Sequence, residues 1–586
     1  TNPYTPTQLQ EACEALYPGA DCQYPTTHLY VKLEPQYFED ILAIENADIE
    51  YFDFPLTREV IEMGDYYQNP PEGEFPTLYA VVPEDFIFPD ISYTVLSNLH
   101  LNIENDPLVL AQAFKQTDNA GHIYNDVVPE GGFAPGDYED FIQTNIPEMP
   151  TDCPPTCVPK LEVDNSTSPV TYYWRCDCTT DPDPPTISDC GCEVPDNQRY
   201  PGGCIKVEDT ELSTAGDPNT FEGIRRVKIT AWDGWFTFKS TQSDDQGCWS
   251  ITGHKFSGKV RLYVTFKNNR ARLRGTPPSG WALWRWFTAI QDYVAKVSGP
   301  RYNNIAINYH MYQTQGSFFH RYWGAAMTNN ALHEFYDYAN QDGLQAPKHL
   351  DLFVALNRSD GFAIGDAKYH LTNPLFNLMQ GRLLYAVALP PVSNLIAPFI
   401  PDVSIGVNYD HSDRLKELAY HEYAHASHEK LVGVAYWADL AAAEINANGH
   451  GNQNSTDAGL ISVVEAWGTH VGFSYTHRKY GPDNSIGGNW EAEVETYWNE
   501  STNHIPGGLF HDLKDTGEQG LSFSGENPPQ TTTVVDNVSG FTHFELYQTL
   551  GDLPYSVGQY QTDLGNRHPN WKGNTAAEVN DLFNSY

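Results

Sequence analysis

Basic side chains are scarce in this chain. Lysine and arginine number 34 against 76 aspartates and glutamates, a formal charge of −42 over 586 residues. Phosphate backbones and anionic headgroups are gripped by lysine and arginine, so nucleic acid and anionic membrane surfaces are poor partners for it. No run of eighteen apolar residues occurs, which leaves no candidate membrane span. Paired C-x-x-C knuckles are missing as well. Cys153, Cys157, Cys176, Cys178, Cys190 and Cys192 follow C-x-x-x-C and C-x-C spacings, which argues against a zinc ribbon. No D-x-D-x-D-G loop is present, so the acidic stretches 118–126 and 130–140 read as solvated loops before structural Ca2+ sites. The chain begins Thr1-Asn2-Pro3 with no basic-plus-apolar leader, and is expected to be a mature chain. Ten cysteines, an even number, point to disulfides and an extracellular or cell-surface location. Cys13 and Cys22 are close enough to pair locally.

The length predicts several cores. Residues 1–150 read as a small α+β unit, with strands at 27–33, 49–54 and 78–82 and a helix at 38–44. Residues 151–202 are rich in cysteine, proline and aspartate, a disulfide-stapled linker. Residues 203–275 alternate apolar and polar in short runs (Arg225–Ala231, Trp235–Ser240, Val260–Phe266) separated by turn residues, the pattern of a small β-sandwich. From 276 to 586 the chain turns mainly helical. Trp281–Val297 and Phe318–Asn340 are aromatic-rich and amphipathic, and strands are expected at 350–356 and 403–409. The fold class is therefore multidomain α+β.

Chemistry concentrates at His421-Glu422-Tyr423-Ala424-His425. On a helix, positions i and i+4 share a face, so both imidazoles reach one ion, and Glu422 lies beside the open position as a base. Ser412 and Asp413 are good N-caps, and neither proline nor glycine interrupts 413–432. A third ligand is required. The metzincin pattern would need glycine at 428 and histidine at 431, but this chain has His428 and Leu431. The third ligand is then expected to be a glutamate on a later helix, as the gluzincin arrangement implies, and the candidates are Glu444 and Glu465. Glu465 heads a run with Ala466, Gly468 and Gly472, whose small side chains let two helices approach closely, whereas Glu444 precedes a loop signal at 446–451. Glu465 is the preferred ligand and Glu444 the alternative. His428, one short turn beyond His425, is expected to support the site rather than bind the ion.

Glu465-Ala466-Trp467-Gly468 resembles the E-(G/A)-x-(A/G) signature of the second helix of gluzincin metallopeptidases, and the 19-residue step from His425 to Glu444 resembles the spacing in thermolysin-like enzymes. The resemblance covers roughly 280–490. It implies a mainly helical zincin-like catalytic domain with a small sheet, in which His421, His425 and Glu465 hold one Zn2+. Glu422 is then the general base for peptide hydrolysis. An edge strand near 403–409 would bind substrate backbone by strand addition, and His504, His511, Tyr497 or Tyr475 would steady the oxyanion. Residues 203–275 resemble the carboxypeptidase regulatory-like β-sandwich, and the whole layout is similar to large secreted metallopeptidase-like proteins of marine Bacteroidetes-type bacteria. Expected partners are protein or peptide substrates. Two other readings stand beside this one: a secreted binding or adhesion protein on a non-catalytic metallopeptidase-like scaffold, and an inhibitory role for residues 1–150.

Overall fold

The computed structural model describes residues 2–56, 74–117, 158–164, 171–177, 192, 200–212, 221–276, 283–298, 302–311, 318–370, 400–481, 504–515 and 534–586, apart from isolated positions within these ranges. The acidic loops 118–126 and 130–140 and Tyr497 lie outside the described residues. The fold is multidomain α+β.

The N-terminal unit runs α1 (Pro6–Leu16), β1 (His28–Leu33), α2 (Phe38–Asn46), β2 (Tyr51–Phe52), β3 (Leu78–Pro83), β4 (Tyr93–Leu99) and α3 (Pro107–Gln116). Its antiparallel sheet has the order β2-β3-β1-β4. Alternation decides the buried face: Val31 and Leu33 of β1 and Leu78, Ala80 and Val82 of β3 are buried. Thr5 caps α1 by accepting from the Gln8 N–H, and the Cys13–Cys22 disulfide ties its end to the following loop.

A hairpin of β5 (Val158–Asp164) and β6 (Thr171–Asp177) follows. Then come β7 (Gly202–Glu208), β8 (Phe221–Gly223), β9 (Lys228–Trp232), β10 (Phe238–Gln242), β11 (Cys248–Ser250), β12 (Lys259–Thr265), β13 (Ala271–Gly275), β14 (Gln291–Ser298) and β15 (Ile305–Tyr309). All but β13 build two four-stranded sheets, β10-β9-β12-β14 and β11-β7-β15 with β8 beside β7. Inward residues of both, among them Ile205, Val207, Ile229, Leu262 and Val264, belong to one hydrophobic cluster. The Cys192–Cys248 disulfide fastens the linker to β11.

The stretch expected to be helical at 281–297 is corrected here: only Leu283–Trp286 turns, as a 3-10 helix, and Gln291–Ser298 is strand β14, antiparallel to β12. Its residues do not alternate cleanly, but β12 is available along its whole length, and that pairing overrides the helical spacing of the aromatics. β13 ends at the position expected to divide sandwich from helical region, yet it joins a sheet of the latter. It pairs in parallel with β16 (Leu350–Ala355), which pairs with β18 (Val403–Gly406), and β17 (Gly361–Ala363) adds antiparallel to β18.

The helices are α4 (Phe318–Asp342), α5 (Ser412–Val432), α6 (Val434–Ala447), α7 (Ala458–Tyr480), α8 (Leu509–Asp512), α9 (His543–Leu550), α10 (Val557–Arg567) and α11 (Ala576–Ser585). α5 packs on β17 and β18 on one side and on α4 and α7 on others. Their junction is sealed by Tyr420, Tyr423, Trp467 and Tyr475, all fully buried. A buried charge cluster pins α5 to the sandwich: Lys416 Nζ donates to Glu222 (2.8 Å) and Glu334 (3.0 Å), with Asp209 at 3.5 Å. The N-terminal sheet closes over α6. Val31, Leu33, Ile41 and Ile44 share a cluster with Tyr436, Trp437, Leu440, Ile461 and Val464. Among the described residues no helix is long and apolar enough to cross a membrane.

Candidate metal centre

α5 begins one residue earlier than its expected caps. Ser412 and Asp413 lie in the first turn, and His411 occupies the cap position. The Ser412 hydroxyl is drawn instead to Thr210, whose N–H it accepts at 2.9 Å, so a tertiary contact replaces a local cap. Gly433, at φ 85°, stops the helix and opens α6, a conformation only glycine takes without strain.

One helical turn separates His421 and His425, whose rings meet edge to face at 4.6 Å between centroids. Their Nε2 atoms are 2.9 Å apart. α7 crosses this face and delivers Glu465, whose Oε2 lies 3.2 Å from His421 Nε2 and whose Oε1 lies 3.2 Å from His425 Nε2. The close crossing depends on Gly468. A Cβ there would sit 2.7 Å from His425 Cε1 and 2.8 Å from His421 Cε1. Gly472, one turn on, faces Glu417 and the Cβ of His421 in the same way.

This triangle fits a divalent cation. Four ligands at zinc bond lengths of about 2.1 Å stand about 3.4 Å from one another in a tetrahedron, slightly wider than this triangle. Three edges of 2.9–3.2 Å between two nitrogens and a carboxylate come near that spacing. Glu465 is almost fully buried. Burial opposes its charge, but His450, His425 and His421 outweigh that and hold its carboxyl well below the usual range.

Glu422 is buried beside the triangle, and among the described residues its Oε2 has no hydrogen-bond partner. Burial, then the carboxylates of Glu465, Glu444, Glu417 and Asp360, push its pKa well above the ordinary carboxylate value. β17 runs directly across it: a Cβ on Gly361 would lie 2.6 Å from Glu422 Oε1. This corrects the expected edge strand. Residues 403–406 form β18, which is interior between β16 and β17; among the described residues the edge is β17.

Of the two glutamates weighed as third ligand, Glu465 meets both imidazoles. Glu444, near the end of α6, instead pairs with Glu465 and joins a second group with His450. His428 is fully buried against Tyr436 and Trp437, and burial next to His425 lowers its pKa to about 3. It packs the α5–α6 junction as a neutral ring. Trp437 in turn lies 5.8 Å from the His425 ring.

The expected oxyanion donors separate. Tyr475 is in the core, ringed by Phe335, Tyr338, Tyr420 and His543, and His511 packs near His470, so neither adjoins the triangle. His504 is tied to α7 through its carbonyl, which accepts from Ser462 Oγ at 2.9 Å, and lies near His450. Sequence reasoning missed His450 itself. Its Nε2 is 3.3 Å from Glu465 Oε2 and its side chain is 55% exposed. The only local signal was the Gly449-His450-Gly451 loop, whose two glycines take φ of 101° and 69° and Asn448 a φ of 66°.

No protein-family model, curated protein or solved structure matches this chain.

Proposed function

We propose that this chain is a secreted zinc-dependent peptidase with a gluzincin-type centre in a zincin-like domain. The observation that carries the reading is the convergence of His421, His425 and Glu465 on one point with Glu422 alongside. A zinc ion held there would supply a water of pKa near 7 and polarise a scissile carbonyl. Glu422 does the proton work. Its unpartnered Oε2 takes a proton from attacking water and passes it to the leaving amine. β17, the outer strand on that side among the described residues, offers its edge to an extended peptide, whose backbone then lies across Glu422. The Cys13–Cys22 and Cys192–Cys248 disulfides support an oxidising compartment.

A buried base with an unpartnered oxygen favours catalysis over a metal-bearing scaffold that only binds partners. The test is digestion of casein or a peptide library by zinc-loaded wild type and by Glu422→Gln. Wild type is expected to cleave. The variant should keep its zinc and lose at least about 10²–10⁴-fold in rate. A zinc-loaded wild type that cleaves nothing supports the binding scaffold, and unaltered turnover in the variant removes Glu422 from the mechanism.

A further inference from the structure

We propose that the chain holds a second divalent cation on Glu444, His450 and Glu465, so that Glu465 bridges two ions. The inference rests on the reading of His421, His425 and Glu465 as the first metal set. One nitrogen and two carboxylate oxygens, one from each of these residues, all lie within 4.8 Å of one another. The buried Glu465 is common to both groups. Its Oε1 faces His425, while its Oε2 is within 3.3 Å of both His421 and His450. A carboxylate with imidazoles on both oxygens is placed to bridge.

Glu444 gives the second set its reason. It stands at hydrogen-bond distance from Glu465, so two carboxyl groups share one partly buried space. Their oxygens lie close enough to each other and to the His450 ring to share one cation. His450 completes the donor set from the solvent side, on a loop bent by the left-handed Asn448 and Gly449. Two oxygens and one nitrogen suit zinc or a comparable ion. Two ions bridged by a carboxylate, typically about 3.5–4 Å apart, clamp both the attacking and the leaving group of a hydrolytic step. A third group near the start of α5, Glu211, His411 and Asp413, is a separate cluster that shares no residue with this centre.

The test is metal stoichiometry on the full chain, stripped with chelator and dialysed against zinc. Wild type is expected to bind two zinc ions, with His450→Ala and the double variant Glu444→Gln/His450→Ala binding one. Circular dichroism should report an unchanged fold, since His450 is largely exposed. One zinc in wild type, unaffected by either variant, overturns the second site and leaves the first standing. Two zinc ions in both variants place the second ion elsewhere and also overturn it. No zinc in wild type removes the first metal set, and with it this inference.

Discussion

Gly468 of α7 lies against His421 of α5 so closely that any Cβ at 468 would come within 2.8 Å of the imidazole Cε1. Helix–helix approach and the aim of the two histidines are thus one geometric fact. Gly468→Ala should raise intrinsic helix propensity by about 1 kcal/mol. It should nevertheless weaken zinc affinity by about 10–100-fold, the range seen when groups that orient ligands are disturbed. A competitive chelator titration checks this, and unchanged affinity would separate the crossing from the site.

Gly361 bears on Glu422 in the same manner from the sheet side. Gly361→Ala should displace the carboxylate, lowering turnover about tenfold or more while zinc content stays constant, because the atoms nearest the added Cβ are those of Glu422. Peptidase assays paired with metal analysis report the split.

The legibility of the chain follows from which contacts are local. α5 could be read because its two site histidines are four residues apart and a glycine ends it. α7 could be read because Ala466, Gly468 and Gly472 mark a close crossing. β13 could not, since Arg272 and Arg274 disguise a buried strand. Both are neutralised by Asp351 of β16, at 2.8 and 2.7 Å, a partner about eighty residues away. β17 has three residues, too few for any period to show. His450 reaches the site only through the tertiary placement of its loop.

The cluster around Lys416 should dominate the stability of the helical region. Lys416 is fully buried among Glu222, Glu334 and Asp209, with Lys479 Nζ 2.7 Å from Glu222 and 2.6 Å from Glu334. Lys416→Met leaves these carboxylates short of a cation and should cost about 3–5 kcal/mol in urea unfolding. A loss below 1 kcal/mol would show that Lys479 alone neutralises them.

Asp292 should leave a signature in pH. Burial pushes its carboxyl up to about 6, despite the Tyr309 hydroxyl donating to it at 2.8 Å. The folded state therefore keeps a proton that the unfolded chain releases near pH 4. Stability falls as pH rises from about 4 to about 6, by about 3 kcal/mol for two pKa units, and stays lower above. Asp292→Asn should flatten that part of the profile relative to wild type. Parallel profiles for the two proteins would contradict the assignment.

Residues 2–117 are expected to be structural rather than an inhibitory segment, since Val31, Ile41 and Ile44 pack against Trp437 and Leu440 of α6. Removing them should lower the thermal midpoint and reduce zinc affinity. A truncated chain that is stable and more active would restore the inhibitory reading.

The central claim is that one cation is gripped by His421, His425 and Glu465. Crystals of zinc-loaded protein, measured on both sides of the zinc absorption edge, test it most directly. The account predicts an anomalous peak about 2.0–2.2 Å from both Nε2 atoms and from a Glu465 oxygen; zinc-loaded crystals with no peak between those three side chains would contradict it.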